Sequence, residues 1–201
     1  MRYFKGRCLF ITFTLMLTGY AAVDKEKHSS NAKITIEPYD LSEKESLLIS
    51  KTGVEQIEFF KMEGALKEED DLQFAVEEYV NGKLKEELLT TSNEPNEKFK
   101  DSFISFGISN SLDEDHSLKL IAGIPSGLAT TMYPNNMTSS SFSKLVGEKV
   151  TLEKNKPVYL AAWLGTTQNR LRSVGSENGE LPQGIKEAEL ALLFRVLWTD
   201  K

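Results

Sequence analysis

Two acidic runs, a histidine beside one of them and a segment rich in amides are the parts of this chain whose residue types invite chemistry. Glu68-Glu69-Asp70-Asp71 and Asp113-Glu114-Asp115 offer the carboxylates that calcium collects. Calcium takes six to eight oxygens, and neither run has the alternating D-x-D-x-D-G spacing that turns carboxylates inward from one loop. Both runs therefore read as solvated turns, which also discourage strand edges from pairing. His116 follows the second run, and hydrolase chemistry would arise if it were assembled in space with Asp113 or Asp115 and a nucleophile. Against that stands Gly123-Ile124-Pro125-Ser126-Gly127, where serine is fourth and not third, so it is no G-x-S-x-G elbow. His28 lies in a polar stretch and the sole cysteine is Cys8, so no tetrahedral zinc set is assembled. Neither G-x-G-x-x-G nor G-x-x-x-x-G-K-S/T occurs, and no cofactor or metal is expected.

The amide-rich segment runs from Tyr133 to Ser143 and reads as a long surface loop, with one helical turn over Phe142 to Val146. Tyr133 is its aromatic, and with Asn135 and Asn136 it is the expected ligand contact. Asn136-Met137-Thr138 fits a glycosylation sequon, a three-residue pattern short enough to recur by chance. A second polar stretch, Gly165 to Gly184, is the other loop expected to make contacts, because loops on a rigid scaffold usually carry them. Phe59, Phe60, Trp163 and Trp198 fall at inward strand positions and read as core rather than as a sugar-stacking platform.

The elements that must position these residues are strands. Ile34-Thr35-Ile36 opens one that Pro38 ends or confines to an edge. Ser42 caps a short helical turn before Leu47-Leu48-Ile49. Leu72, Phe74, Val76 and Val80 share one strand face, which Glu78 interrupts. Asn81-Gly82 then signals a tight hairpin, since both residues tolerate positive φ. A simple two-residue turn sets Tyr79 opposite Leu84, Glu78 opposite Lys85 and Phe74 opposite Leu89, but also Glu77 opposite Glu86. Ile104, Phe106 and Ile108 line another strand, and Leu118, Leu120, Ala122 and Ile124 the next. Val158 to Leu164 is apolar on both faces, as in a central strand covered on both sides. Ala188 to Trp198 has helix-favouring composition, but Leu190, Leu192, Phe194, Val196 and Trp198 alternate without a break, so it reads as a strand. The expected architecture is all-β, an antiparallel β-sandwich of about eight strands in one domain, 34–201.

Ahead of that domain stand Arg2, Lys5 and Arg7, an apolar run from Cys8 to Leu17, and small residues around Gly19, Ala21 and Ala22. This is the layout of a secretory signal peptide, 1–21, followed by a flexible polar spacer, 22–33. The apolar run is about half the ~20 residues that a membrane span needs. Leu17-Thr18-Gly19 resembles the first three positions of the lipobox in bacterial lipoproteins, particularly Gram-positive ones. Tyr20 stands where that motif has its lipid-bearing cysteine, so the resemblance implies a lipoprotein-like leader without the anchor. Gly19-Tyr20-Ala21 also fits a small-x-small cut before Ala22.

The chain carries 24 Lys and Arg against 30 Asp and Glu, a net charge of −6; without its three leader cations the balance is −9. That acidity argues against nucleic acid and against electrostatic docking on an anionic bilayer. The one cysteine lies in the leader, so the domain has no disulfide. Together these features point to an exported, non-enzymatic binding domain, secreted or on the outer face of the cytoplasmic membrane. Its partner would be another envelope component or an external ligand, and membrane association would come only through an uncleaved leader. The alternatives are the His116 hydrolase and an accessory protein that adds a strand to a partner's sheet.

Overall fold

The structure, a computed structural model, describes residues 32–92, 94–110, 116–168, 170–171, 174–176 and 178–201. Residues 1–31, where the leader and most of the spacer are expected, and Asp113, Glu114 and Asp115 lie outside the described residues. Among the described residues, eleven strands form two antiparallel sheets, more than the eight expected. The first sheet has the order β7-β6-β5-β2-β1-β9. Its strands are β1 (Lys33–Tyr39), β2 (Gln56–Ala65), β5 (Lys98–Asn110), β6 (Ser117–Ile124), β7 (Gly127–Pro134) and β9 (Val150–Thr151). The second has the order β4-β3-β11-β10-β8, from β3 (Asp70–Val80), β4 (Lys83–Thr91), β8 (Ser139–Lys144), β10 (Val158–Thr166) and β11 (Leu190–Asp200).

The sheets face each other over an apolar core that the period-2 patterns build. Ile34, Ile36, Phe60, Met62, Ile104 and Phe106 come from the first sheet, and Leu72, Phe74, Trp163, Leu192 and Phe194 from the second; all are buried. Phe106 stacks on Phe194 at 5.5 Å between ring centres and meets Phe142 at 5.7 Å, so rings from opposite sheets interlock. Such pairs contribute about 0.5–1.5 kcal/mol beyond the area they bury. Among the described residues, no helix is long and apolar enough to cross a membrane.

Several expectations are met. Ser42 accepts from the Glu45 N–H while Glu45 accepts from the Ser42 N–H, a complete capping box on the short helix α1 (Glu43–Ile49). Pro38 pairs with Phe60 on β2, and β9 reaches only Thr35 and Ile36, so the missing N–H costs no ladder bond. Ala188 to Trp198 is extended: β11 lies between β3 and β10, and that tertiary setting overrides the local helix preference.

Other expectations are corrected. The segment Tyr133 to Ser143 is not one long loop, because β7 runs to Pro134 and β8 begins at Ser139. No helical turn forms at Phe142; Ser and Thr are tolerated on the exposed side of an edge strand while Phe142 packs on the core. The acids of Glu68–Asp71 do not form a solvated turn throughout. Asp70 and Asp71 open β3 and are each 2% exposed. Nor is Gly165 to Gly184 simply an external loop. Val174 and Ile185 from this stretch and the following turn are buried against the outer face of the second sheet, packing on Ala162, Leu164, Ala191 and Leu193. This lid explains why β10 is apolar on both faces.

The β3–β4 hairpin has the expected turn, with Asn81 at φ 51° and Gly82 at φ 76°. Its register is not the simple one. Tyr79 faces Leu84, but bulges then shift the pairing, so Glu78 faces Glu86, Glu77 faces Glu87 and Phe74 faces Thr91. The bulges let Lys85 reach Glu78 from beside the ladder, and Arg195 on β11 reaches Glu87. Those cations offset the facing like charges that a ladder otherwise disfavours.

Candidate functional site

Five chain segments converge at one end of the sandwich: the Asn81–Gly82 turn, the end of β7, the link from β7 to β8, the exit of β10 and the approach to β11. Backbone bonds tie them together. The Asn81 N–H donates to the Glu189 carbonyl at 3.0 Å, the Thr138 N–H to Thr166 at 3.0 Å, and the Asn135 N–H to His116 at 2.9 Å. Between them opens a cleft of about 520 Å³, lined by Glu78, Tyr133, Asn136, Gln168 and Glu189 among others.

Its floor is the residue that interrupts the apolar face of β3. Glu78 is 2% exposed, yet its carboxylate is well supplied: the Tyr133 hydroxyl donates to Oε1 at 2.7 Å, and Lys85 Nζ donates to both oxygens at 3.1–3.2 Å. Burial of the ring and the bond to Glu78 both push the Tyr133 phenol upward, so it remains a donor at neutral pH. On the rim, Glu189 accepts from the Thr167 N–H and from the Thr166 and Thr167 hydroxyls at 2.9–3.1 Å. The Thr167 N–H, then those hydroxyls, hold its carboxyl below the usual range and keep it charged. A second hollow of about 330 Å³ shares Glu187, Glu189 and Gln168 and adds Arg170 and Leu171.

Of the three expected contact residues, Tyr133 and Asn136 line the cleft. Asn136 is exposed, whereas Tyr133 is half-buried and already committed to Glu78. Asn135 turns inward locally, its Oδ1 accepting from the Met137 N–H at 3.0 Å. His116 is exposed at φ 45° and is not among the cleft-lining residues; its carbonyl anchors Asn135 from outside. Its expected partners Asp113 and Asp115 fall outside the described residues. Sequence reasoning did not place Glu78 or Glu189 at a site. For Glu78 the signal was present, as a lone acid on an otherwise apolar strand face.

A second buried polar cluster lies on the outer face of the second sheet. Arg195 Nε is 2.6 Å from Glu77 Oε1, placed off the N–H axis so that the contact is ionic, and its Nη2 donates to Glu87 at 2.7 Å. The Tyr79 and Tyr159 hydroxyls donate to Glu77 Oε2 at 2.9 and 3.2 Å. Burial, then the bonds to Tyr159 and Glu77, push the Tyr79 phenol up. The cluster borders the lid and does not line the cleft, so its work is structural.

A two-sheet all-β domain with a polar cleft at one end is what these features define. The chain belongs to the YgaN domain family, whose model matches residues 35–197, from within β1 to within β11. No curated protein matches the chain, and no solved structure does.

Proposed function

We propose that this chain is an exported, non-enzymatic binding domain of the bacterial cell envelope or its surroundings, and that its ligand sits in the cleft between Tyr133, Asn136, Glu78 and Glu189. The cleft itself carries the reading: it is open to solvent, holds about 520 Å³ and gathers polar groups from five segments on a rigid scaffold. Its best-defined carboxylates are fixed by donors: Glu78 accepts from Tyr133 and Lys85, and Glu189 from Thr166 and Thr167, which hold the Glu189 carboxyl below the usual range. Fixed acceptors of this kind orient a ligand rich in N–H or O–H groups. A general acid or base would instead need a pKa near the working pH. Export is supported by the leader: a basic start, a short apolar run and a small-residue exit.

The test is a photo-crosslinking residue placed at Asn136 in the producing cell, with Lys100 on β5 as the control position. Adducts from position 136 that are absent from position 100 and lost in a Tyr133→Phe, Glu189→Gln background would support the cleft. Equal labelling from both positions, or none from position 136, would remove it.

A further inference from the structure

Four strands border the two sheets, and three carry devices that keep a sheet edge from pairing. β9 is two residues long. β8 is six residues and ends in Lys144. β4 carries Lys83, Lys85, Glu86 and Glu87 and is broken by two bulges. Short edges, charges and bulges are the usual ways of blunting such strands. β7 has none of them. Its eight residues, Gly-Leu-Ala-Thr-Thr-Met-Tyr-Pro, bear no charge, and its register with β6 is unbroken from Gly127 to Pro134. Leu128 and Met132 point away from the core, 68% and 51% exposed. Pro134 affects only the last position.

We propose that β7 is the seam through which two copies of this chain join, antiparallel about a two-fold axis at Thr130, so that two six-stranded sheets continue as one. The occupant follows from charge and sequence. β7 bears no charged residue, so two copies of this acidic chain, net charge −6, bring no like charges face to face along the seam. Pleating then restricts the register to an axis through a residue, because residues directly opposite must lie on the same face of the joined sheet, and matching exposed Leu128 to exposed Met132 selects Thr130. With the axis at Thr130, Thr130 meets its own counterpart, and Leu128 of each copy faces Met132 of the other. On the inner side Ala129 faces Thr131. Each exposed apolar side chain thus gains an apolar neighbour, in two symmetry-related Leu128–Met132 pairs, and the outward N–H and C=O groups of β7 gain partners. A self-complementary patch is what a two-fold interface requires.

Analytical ultracentrifugation of the purified full chain tests this. The wild type should sediment as a concentration-dependent dimer. Thr130→Lys, an exposed substitution that leaves the core untouched, should place like charges against each other at the axis and weaken the dimer by about tenfold or more. Thr130→Glu should do the same. An equimolar mixture of the two variants should dimerise again, which a misfolded variant could not do. The proposal is overturned by a wild type that stays monomeric at high concentration, as it would if β7 served a strand from a different protein. A dimer indifferent to Thr130→Lys, or variants that remain monomeric when mixed, would overturn it equally.

Discussion

At the scale of single residues, the outer-face ion pair is the most exposed to test. Arg195 and Glu77 are nearly fully buried, with side chains 8% and 6% accessible. Removing one member of such a pair strands a charge away from water, which costs about 3–5 kcal/mol. Arg195→Met should therefore lower the urea midpoint by that equivalent, and adding Glu77→Gln should recover much of the loss. Asp70 offers a pH test. Burial disfavours its charge, but Lys154 and the Lys67 N–H outweigh that and hold the carboxyl below its ordinary value. A carboxyl lowered on folding contributes stability above its unfolded pKa, about 3.9, and that contribution fades as pH falls through the folded value. Unfolding free energy measured from pH 5 to pH 2 should fall more steeply in the wild type than in Lys154→Gln. A parallel fall in both would mean that the pair does not govern Asp70. Glu78 was visible in the sequence as an acid that interrupts an apolar strand face, whereas Arg195 drew no notice within Leu190–Trp198. Their partners could not be read there, because Tyr133 is 55 positions from Glu78 and Glu87 is 108 from Arg195, and only the fold joins them.

At the scale of elements, the hairpin shows both what local chemistry reveals and where it stops. Asn81-Gly82 is legible because positive φ is a property of the residues themselves. The bulges at Lys85 and near Leu88 are not legible, since they settle a competition among charges that depends on Arg195 from a distant strand. Gly82 has a second constraint of the same origin. A Cβ there would lie 2.6 Å from the Lys186 backbone, in the 3₁₀ turn Gln183–Glu187 that leads into β11. Both effects oppose a side chain, so Gly82→Val should cost more than the ~1 kcal/mol of an average substitution, and Gly82→Ala should cost about 1–3 kcal/mol. Thermal melts would check it, and an unchanged melting temperature for Gly82→Ala would mean that the turn and the 3₁₀ segment do not meet as described. The strands themselves were readable wherever apolar alternation was regular, as in β5, β6 and β11. β8 was hidden because only Phe142 of its six residues marks the buried face.

At the scale of the whole molecule, the two-sheet class follows from many short alternating segments separated by turns, and composition supports a single large core. The lid on the second sheet was harder to foresee. Val174 and Ile185 stand isolated among polar residues, so no periodicity announces that they cover β10 and β11. The leader expected at 1–21 bears on the export that the functional reading proposes. Tyr20 cannot carry the diacylglycerol that a cysteine would, and after a cut before Ala22 no acyl chain would hold the domain to a bilayer. Tyr20→Cys should restore the motif, take up radiolabelled palmitate and move the protein to the membrane; an unlabelled variant in a lipoprotein-competent bacterium would make the likeness coincidental. The measurement that tests the central claim most directly is fractionation of the producing cell with mass spectrometry of the N-terminal peptide. An exported binding domain predicts a chain in the medium or the cell wash that begins at Ala22. A chain that keeps Met1 and stays in the cytoplasm would contradict it.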